Sequence, residues 1–173
     1  MNLPLGFRYS ALYAGIRKAQ KDDLSLIVSD IPAAAAGVFT QNKAMAAPVI
    51  LSKENLAATN GTARAIMTNA GNANCATKTG MKVAVATTRA LAKALKIPAN
   101  QVLPASTGVI GVEMDGSKII SNVEALVAGL SAERFEDTVQ AIMTTDLAPK
   151  RAHASLAVKG GVIHLAGMTK GSG

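Results

Sequence analysis

Apolar positions in the first third of the chain come in short runs broken by polar or small residues. Residues 24–28 form a mostly apolar run of strand length, entered by a turn at Lys21-Asp22-Asp23. Residues 7–16 mix apolar and small side chains, and residues 35–40 and 48–51 are two more short apolar runs. Each predicts a short strand. Residues 63–67 predict a buried strand that leads into Thr68-Asn69-Ala70-Gly71-Asn72-Ala73-Asn74, a loop rich in Asn and Gly.

The spacing then lengthens. Met81, Val85, Thr88, Ala92 and Leu95 recur at steps of three and four, which predicts a helix stopped before Pro98. Residues 100–103 read as another short strand, followed by Pro104-Ala105-Ser106-Thr107-Gly108-Val109-Ile110-Gly111. Ser121 and Glu124 have capping-box spacing ahead of a face made by Val123, Leu126, Val127 and Leu130. Ser131 can cap a second helix whose face is Phe135, Val139, Ile142 and Met143. Beyond Pro149, residues 154–158 and 162–166 predict two strands joined by a hairpin turn at Lys159-Gly160-Gly161. Strands, then helices, then a hairpin predict a layered α/β or α+β arrangement. Neither an internal repeat nor a linker interrupts it, so residues 1–173 read as one domain.

Composition narrows the picture. A chain of 173 residues can bury a sizeable core, and 49% hydrophobic with 17% charged residues excludes a disordered tail. Aromatics are only 3%, so the core is built from Ala, Val, Ile, Leu and Met, and a base-stacking surface is disfavoured. The net charge of +7 is spread out, with no run of five or more cations. Nucleic acid is therefore not an expected partner, while an acidic companion chain would fit. The single cysteine, Cys75, excludes an internal disulfide and suits a reducing compartment. The first residues lack a basic segment followed by a long apolar one, and apolar stretches such as residues 31–39 fall short of the roughly 18 residues a membrane span needs. The expectation is a soluble, cytoplasmic protein with no membrane partner.

Familiar catalytic motifs are absent: no GxSxG, HExxH, CxxC pair, P-loop or strand-linked GxGxxG. His153 and His164 lie in the hairpin without Cys or clustered acids at ligand spacing, so no metal site is expected. Cys75 has no evident cation or base to form a thiolate. Ser106-Thr107-Gly108 admits two readings. It is either a plain strand-to-loop turn or a hydroxyl beside a glycine amide, the donor pair that an oxyanion needs. Thr144-Thr145-Asp146 reads as a polar helix end, and Lys170 as a solvated tail lysine or a point charge for a carboxylate. The run at 162–166 passes almost directly into Lys170-Gly171-Ser172-Gly173, like a chain cut inside a structural element.

Six blocks in order carry a resemblance. They are Gly37-Val38-Phe39-Thr40-Gln41-Asn42, Ala47-Pro48-Val49, Asn69-Ala70-Gly71-Asn72-Ala73-Asn74, Ser106-Thr107-Gly108-Val109-Ile110-Gly111, Ala141-Ile142-Met143-Thr144-Thr145-Asp146 and Gly167-Met168-Thr169-Lys170-Gly171-Ser172-Gly173. Over essentially its whole length the chain resembles the α chain of the ornithine acetyltransferase (glutamate N-acetyltransferase) family of arginine biosynthesis. Thr169 departs from the pattern, standing where the family has a small residue such as Ala.

The resemblance implies the self-cleaving ornithine acetyltransferase/DmpA-like superfold and a precursor that cuts itself before a threonine. That threonine opens a separate β chain and is the nucleophile, with its own α-amine as base. It implies ping-pong transfer of acetyl from N-acetylornithine, and in some members from acetyl-CoA, to glutamate, without a cofactor. Carried over by motif, Thr107 (hydroxyl) and Gly108 (amide) match the oxyanion hole, and Thr144 and Lys170 match substrate contacts. The assembly implied is α2β2 or larger. A hydrolytic relative of the same superfold, an amidohydrolase or aminopeptidase, is the alternative.

Overall fold

The computed structural model describes residues 2–171. Strands β1 (Phe7–Leu12), β2 (Leu24–Ala34), β3 (Thr62–Asn69) and β4 (Val102–Ser106) make one sheet in chain order. β1, β2 and β3 pair antiparallel, while β4 runs parallel to β3. A parallel neighbour requires a crossover. Helix α2 (Gly80–Leu95) makes it and ends where Lys96 adopts a left-handed conformation at φ +56°.

Side chains alternate across this sheet, and each face has its own cover. Leu24, Leu26, Val28, Ala65, Met67 and Val102 point to one face. There they meet Leu91 and Ala92 of α2, Ile119 of α3 (Ser117–Ile120), and Val123 and Leu126 of α4 (Val123–Ala128). On the other face, Tyr9 packs edge-to-face on Phe135 of α5 (Phe135–Ala141), with ring centroids 5.3 Å apart. The layered α/β reading therefore holds.

Helix α1 (Ala47–Ala58) lies along β4, the edge strand, where the run at 48–51 predicted a strand. Pro48 occupies the first helical turn, where its missing N–H costs nothing. The buried positions are Pro48, Leu51, Ser52 and Asn55, a helical period carried partly by polar residues. Ser52 Oγ donates to the Pro104 carbonyl at 2.7 Å and Asn55 Nδ2 to the Val102 carbonyl at 2.9 Å. Two side chains thus satisfy the open edge of the sheet, which otherwise invites pairing with another strand.

Other expectations also shift. Residues 35–40 form no strand, because β2 continues to Ala34 and then ends as Ala35 N–H donates to the Gly61 carbonyl. Thr68 and Asn69 belong to β3, not to the loop. Ala99–Gln101 is a short 3-10 turn, and the strand after it reaches Ser106. The α2 helix forms, yet Met81 is exposed and the buried face is Ala84, Thr87, Thr88, Leu91 and Ala92. Ser121 closes α3 instead of capping α4, whose N-cap is Asn122. Ser131 bridges Tyr9 through backbone bonds at 2.8 and 3.0 Å, and Arg134 precedes α5. Ile142 and Met143 follow α5 rather than lying within it.

The hairpin forms where it was predicted. β5 (Lys150–Val158) and β6 (Gly161–Thr169) pair from Lys150↔Thr169 to Val158↔Gly161 as a separate two-stranded sheet. Gly160 supplies the positive φ of +96° at the turn. The outer hairpin is exposed, including Leu156 and Leu165. Its base is tied to α5 by Arg151–Glu136 at 2.5 Å and by Ala166 and Met168 packed against Tyr9 and Phe135.

Candidate active site

β3 and β4 end together, with Asn69 opposite Ser106. One side chain then builds the loop on each strand. Asn69 Oδ1 accepts the N–H groups of Gly71 (3.2 Å) and Asn72 (3.1 Å), and its Nδ2 donates to Ser106 Oγ at 2.6 Å. Asn72 and Asn74 continue the pattern: Asn74 N–H donates to Asn72 Oδ1 at 2.7 Å, and Asn72 Nδ2 donates to the Val112 carbonyl at 3.0 Å. Asn69, Asn72 and Asn74 are all buried, and each of these bonds replaces water that the loop has lost. Glu113 anchors the far end of the β4 loop to the start of α2, accepting from Lys78 N–H and from Thr79. The Thr79 hydroxyl, then Lys78 N–H, hold its carboxyl below the ordinary carboxylate range.

Thr107 extends the parallel ladder by one bond, its N–H donating to the Asn69 carbonyl at 2.9 Å. Gly108 then leaves it at φ +131°. A Cβ on Gly108 would sit 2.4 Å from the Gly71 carbonyl carbon and 2.7 Å from Asn72 N, so only glycine fits. Beyond it the ladder resumes, with Ala73 N–H donating to the Val109 carbonyl at 2.9 Å. Among the described residues, neither the Thr107 hydroxyl nor the Gly108 N–H has a hydrogen-bond partner. Thr107 is half-buried and Gly108 exposed. Two donors on consecutive residues are thus held in place by the chain around them and left uncommitted.

Thr144 and Lys170 meet elsewhere. Lys170 Nζ donates to Thr144 Oγ1 at 3.4 Å. Asp146, whose side chain is only 2% exposed, organises them: its carboxylate accepts from Lys150 Nζ (2.5 Å), Gly171 N–H (2.7 Å) and Thr144 N–H (3.4 Å). Those bonds, that from Lys150 first, bring its pKa from 3.8 down to about 2. Among the described residues no carboxylate lies within ion-pair distance of Lys170. An open groove of about 560 Å³ lies at the hairpin base, lined by Lys150, Arg151 and Met168; Thr107 and Gly108 do not line it.

The four candidate residues are therefore placed as two pairs, Thr107 with Gly108 and Thr144 with Lys170. His164 shares a 2.8 Å hydrogen bond with Ser155 on the exposed hairpin, and Cys75 faces the Ala44 carbonyl at 3.8 Å. Among the described residues no cluster of three or more His, Cys, Asp and Glu could hold a metal, and no helix is long and apolar enough to cross a membrane. Ser172 and Gly173, where the last sequence block and the abrupt ending fall, lie outside the described residues.

The ArgJ family matches over residues 8–173. The chain belongs to the ArgJ family. It is 47% identical over 171 residues, 98% of its length, to the arginine biosynthesis bifunctional protein ArgJ of Nitratidesulfovibrio vulgaris. It is 44% identical over 171 residues, again 98% of its length, to the glutamate N-acetyltransferase of Methanococcus maripaludis. It spans 43% and 40% of those two proteins. Among solved structures, the fold is similar to ornithine acetyltransferase from Mycobacterium tuberculosis, complexed with ornithine. The TM-score there is 0.89 and the identity 35%, over 98% of this chain and 90% of that one. The ArgJ structure from Bacillus halodurans gives 0.87 and 31%, over 98% and 88%.

Two residues that build these corners of the ArgJ-family chain carry no signal of their own in the sequence: Asn69 and Asp146 lie inside matching blocks, but their bonds depend on which strand ends and loops meet.

Proposed function

We propose that this chain, residues 1–173, is the α part of a cytoplasmic two-chain acetyltransferase that moves acetyl from N-acetylornithine to glutamate. The nucleophile is the N-terminal threonine of a companion β chain. The observation that carries the reading is the uncommitted donor pair of Thr107 and Gly108 beside the Asn-stitched loop. The names of the relatives and the ornithine bound to a similar solved protein support the substrate class.

The steps follow from the chemistry of an acyl group. The threonine hydroxyl attacks the acetyl carbonyl and gives its proton to the threonine α-amine. Negative charge gathers on the carbonyl oxygen, where the Thr107 hydroxyl and Gly108 N–H donate to it. Collapse expels the amine of ornithine, which takes the proton, and leaves an acetyl ester on threonine. The amine of glutamate then attacks that ester through the same cradle; the ester C–O bond breaks, the amine's proton passes by the threonine α-amine to the threonine oxygen, and N-acetylglutamate leaves. Lys170, near Thr144, receives the α-carboxylate of either amino acid. Its positive charge also disfavours protonation of the neighbouring α-amine, keeping the base neutral.

The exposed apolar hairpin agrees with this reading. A two-stranded sheet is marginal alone, and Leu156 and Leu165 are each 57% exposed. A companion chain would cover them, in an assembly of two or more αβ pairs. The test is to produce this chain with the companion segment and follow radiolabelled acetyl from N-acetylornithine. Label is expected in N-acetylglutamate, with none transferred by this chain alone. Label found only in acetate would make the enzyme a hydrolase and overturn the reading.

A further inference from the structure

Nothing so far accounts for Asp23, a carboxylate with no exposed surface and a place in neither candidate pair. Its side chain closes a loop on itself. Oδ1 accepts from Ala14 N–H at 2.8 Å, and Oδ2 accepts from Ile16 N–H at 2.7 Å and Arg17 N–H at 2.8 Å. Its own carbonyl accepts from Ala70 N–H at 2.8 Å. One residue therefore holds the loop at 14–17 and the residue preceding Gly71.

Gly71 is clamped between that loop and the donor pair. A Cβ on Gly71 would lie 2.7 Å from Ile16 Cγ2, 2.8 Å from Arg17 N and 2.9 Å from the Ile16 carbonyl carbon. On its other side, the Gly71 carbonyl abuts the spot where a Gly108 Cβ would lie, 2.4–2.5 Å away. Neither side has room for even one added carbon, and Val109 N–H also donates to the Gly71 carbonyl at 3.4 Å, so a shift of the loop at 14–17 is passed through Gly71 to the segment at Gly108. The same loop reaches the end of α5: Arg17 Nη2 donates to the carbonyls of Ala141 (3.1 Å) and Met143 (3.0 Å), the latter just before Thr144.

We infer that Asp23 is a positioning residue for the Gly108 amide, acting through the loop at 14–17 and Gly71. This rests on the oxyanion role proposed above for Thr107 and Gly108. A carboxylate is needed because three N–H donors converge on two oxygens. An amide has one acceptor oxygen and must turn its NH2 toward at least one of those donors, driving the loop outward. Misplacement by a fraction of an ångström matters, because an oxyanion donor works only within about 2.7–3.1 Å of the developing charge.

The test uses the enzyme assembled with its companion chain, and the variants Asp23→Asn, Gly71→Ala and Thr107→Ala. Asp23→Asn is expected to lower kcat about tenfold or more and to leave KM for the acetyl donor within about twofold. Gly71→Ala, which pushes on the same contact without altering charge, is expected to do the same. The double variant is expected to be no slower than about threefold below the worse single one, because residues acting through one contact are not additive. A kcat for Asp23→Asn within twofold of the parent, a loss that appears in KM instead, or effects that multiply in the double variant would each overturn the inference. Should Asp23→Asn not assemble, Gly71→Ala decides on the same kcat and KM criteria. Thr107→Ala separates the two claims. If it leaves kcat unchanged, the oxyanion reading itself fails. If it lowers kcat while Asp23→Asn does not, only the role of Asp23 fails.

Discussion

The Lys170 ammonium lies 3.4 Å from the Thr144 hydroxyl, across 26 positions of sequence. Among the described residues it has no carboxylate partner, so its charge is available to a ligand. A charged hydrogen bond to a carboxylate contributes about 1.5–3 kcal/mol. Lys170→Ala is therefore expected to raise KM for the amino-acid substrates about 10–100-fold in the assembled enzyme. Steady-state kinetics with N-acetylornithine and with glutamate check it. An unchanged KM would place the substrate carboxylate elsewhere.

Asp146 gives this corner of the molecule a pH dependence. Its pKa is depressed from 3.8 to about 2, chiefly by the Lys150 ammonium and then by Gly171 N–H. A depressed carboxyl pKa stabilises the fold above the unfolded value, and that contribution is lost as pH falls through the folded one. The affected window therefore runs from about pH 4 down to about pH 2. Asp146→Asn is expected to flatten the fall in melting temperature across this window and to lower the melting temperature at neutral pH. Thermal melts of parent and variant at several pH values measure both effects.

Two glycines of one loop should respond differently to the same substitution. Gly108→Ala meets main-chain atoms of Gly71 at 2.4 Å and keeps a φ of +131°, so a loss of at least about 2 kcal/mol and of nearly all activity is expected. Gly111→Ala has open space around the new methyl and a φ of +78°, and is expected to cost about 1–2 kcal/mol through backbone strain alone. Denaturant unfolding of the two variants reads the difference.

What could be read from the chain, and what could not, divides along physical lines. The α2 helix, the hairpin at Lys159-Gly160 and strand β3 depend on local patterning, and all three formed, although Met81 of the expected α2 face and Ile66 of the strand expected to be buried are exposed. Helix α1 was misread because Ser52 and Asn55 look solvent-facing until the β4 carbonyls they serve are in view. Ser131 does not cap α5 because the helix begins only at Phe135; its hydroxyl accepts from Glu133 N–H at 3.2 Å in the turn before it. The candidate site shows the same division. Motif order nominated Thr107, Gly108, Thr144 and Lys170 as candidates, whereas the hydrogen bonds of Asn69, Asp23 and Asp146 are invisible before strand ends and loops come together.

The buried Asn55 offers a direct check on that explanation. Asn55→Leu removes the donor to the Val102 carbonyl and leaves that group unpaired in the interior, which costs about 1–3 kcal/mol. Denaturant melts are expected to show a loss of this size. Asn55→Asp, which accepts but does not donate, is expected to be at least as damaging.

The claim that matters most is that this chain cradles the acyl oxygen. A crystal structure of the assembled enzyme, trapped with acetyl on the companion threonine, measures it directly. The acetyl oxygen is expected within about 3 Å of both the Thr107 hydroxyl and the Gly108 nitrogen. An acetyl oxygen turned away from both, or either donor bonded to another group, would contradict it.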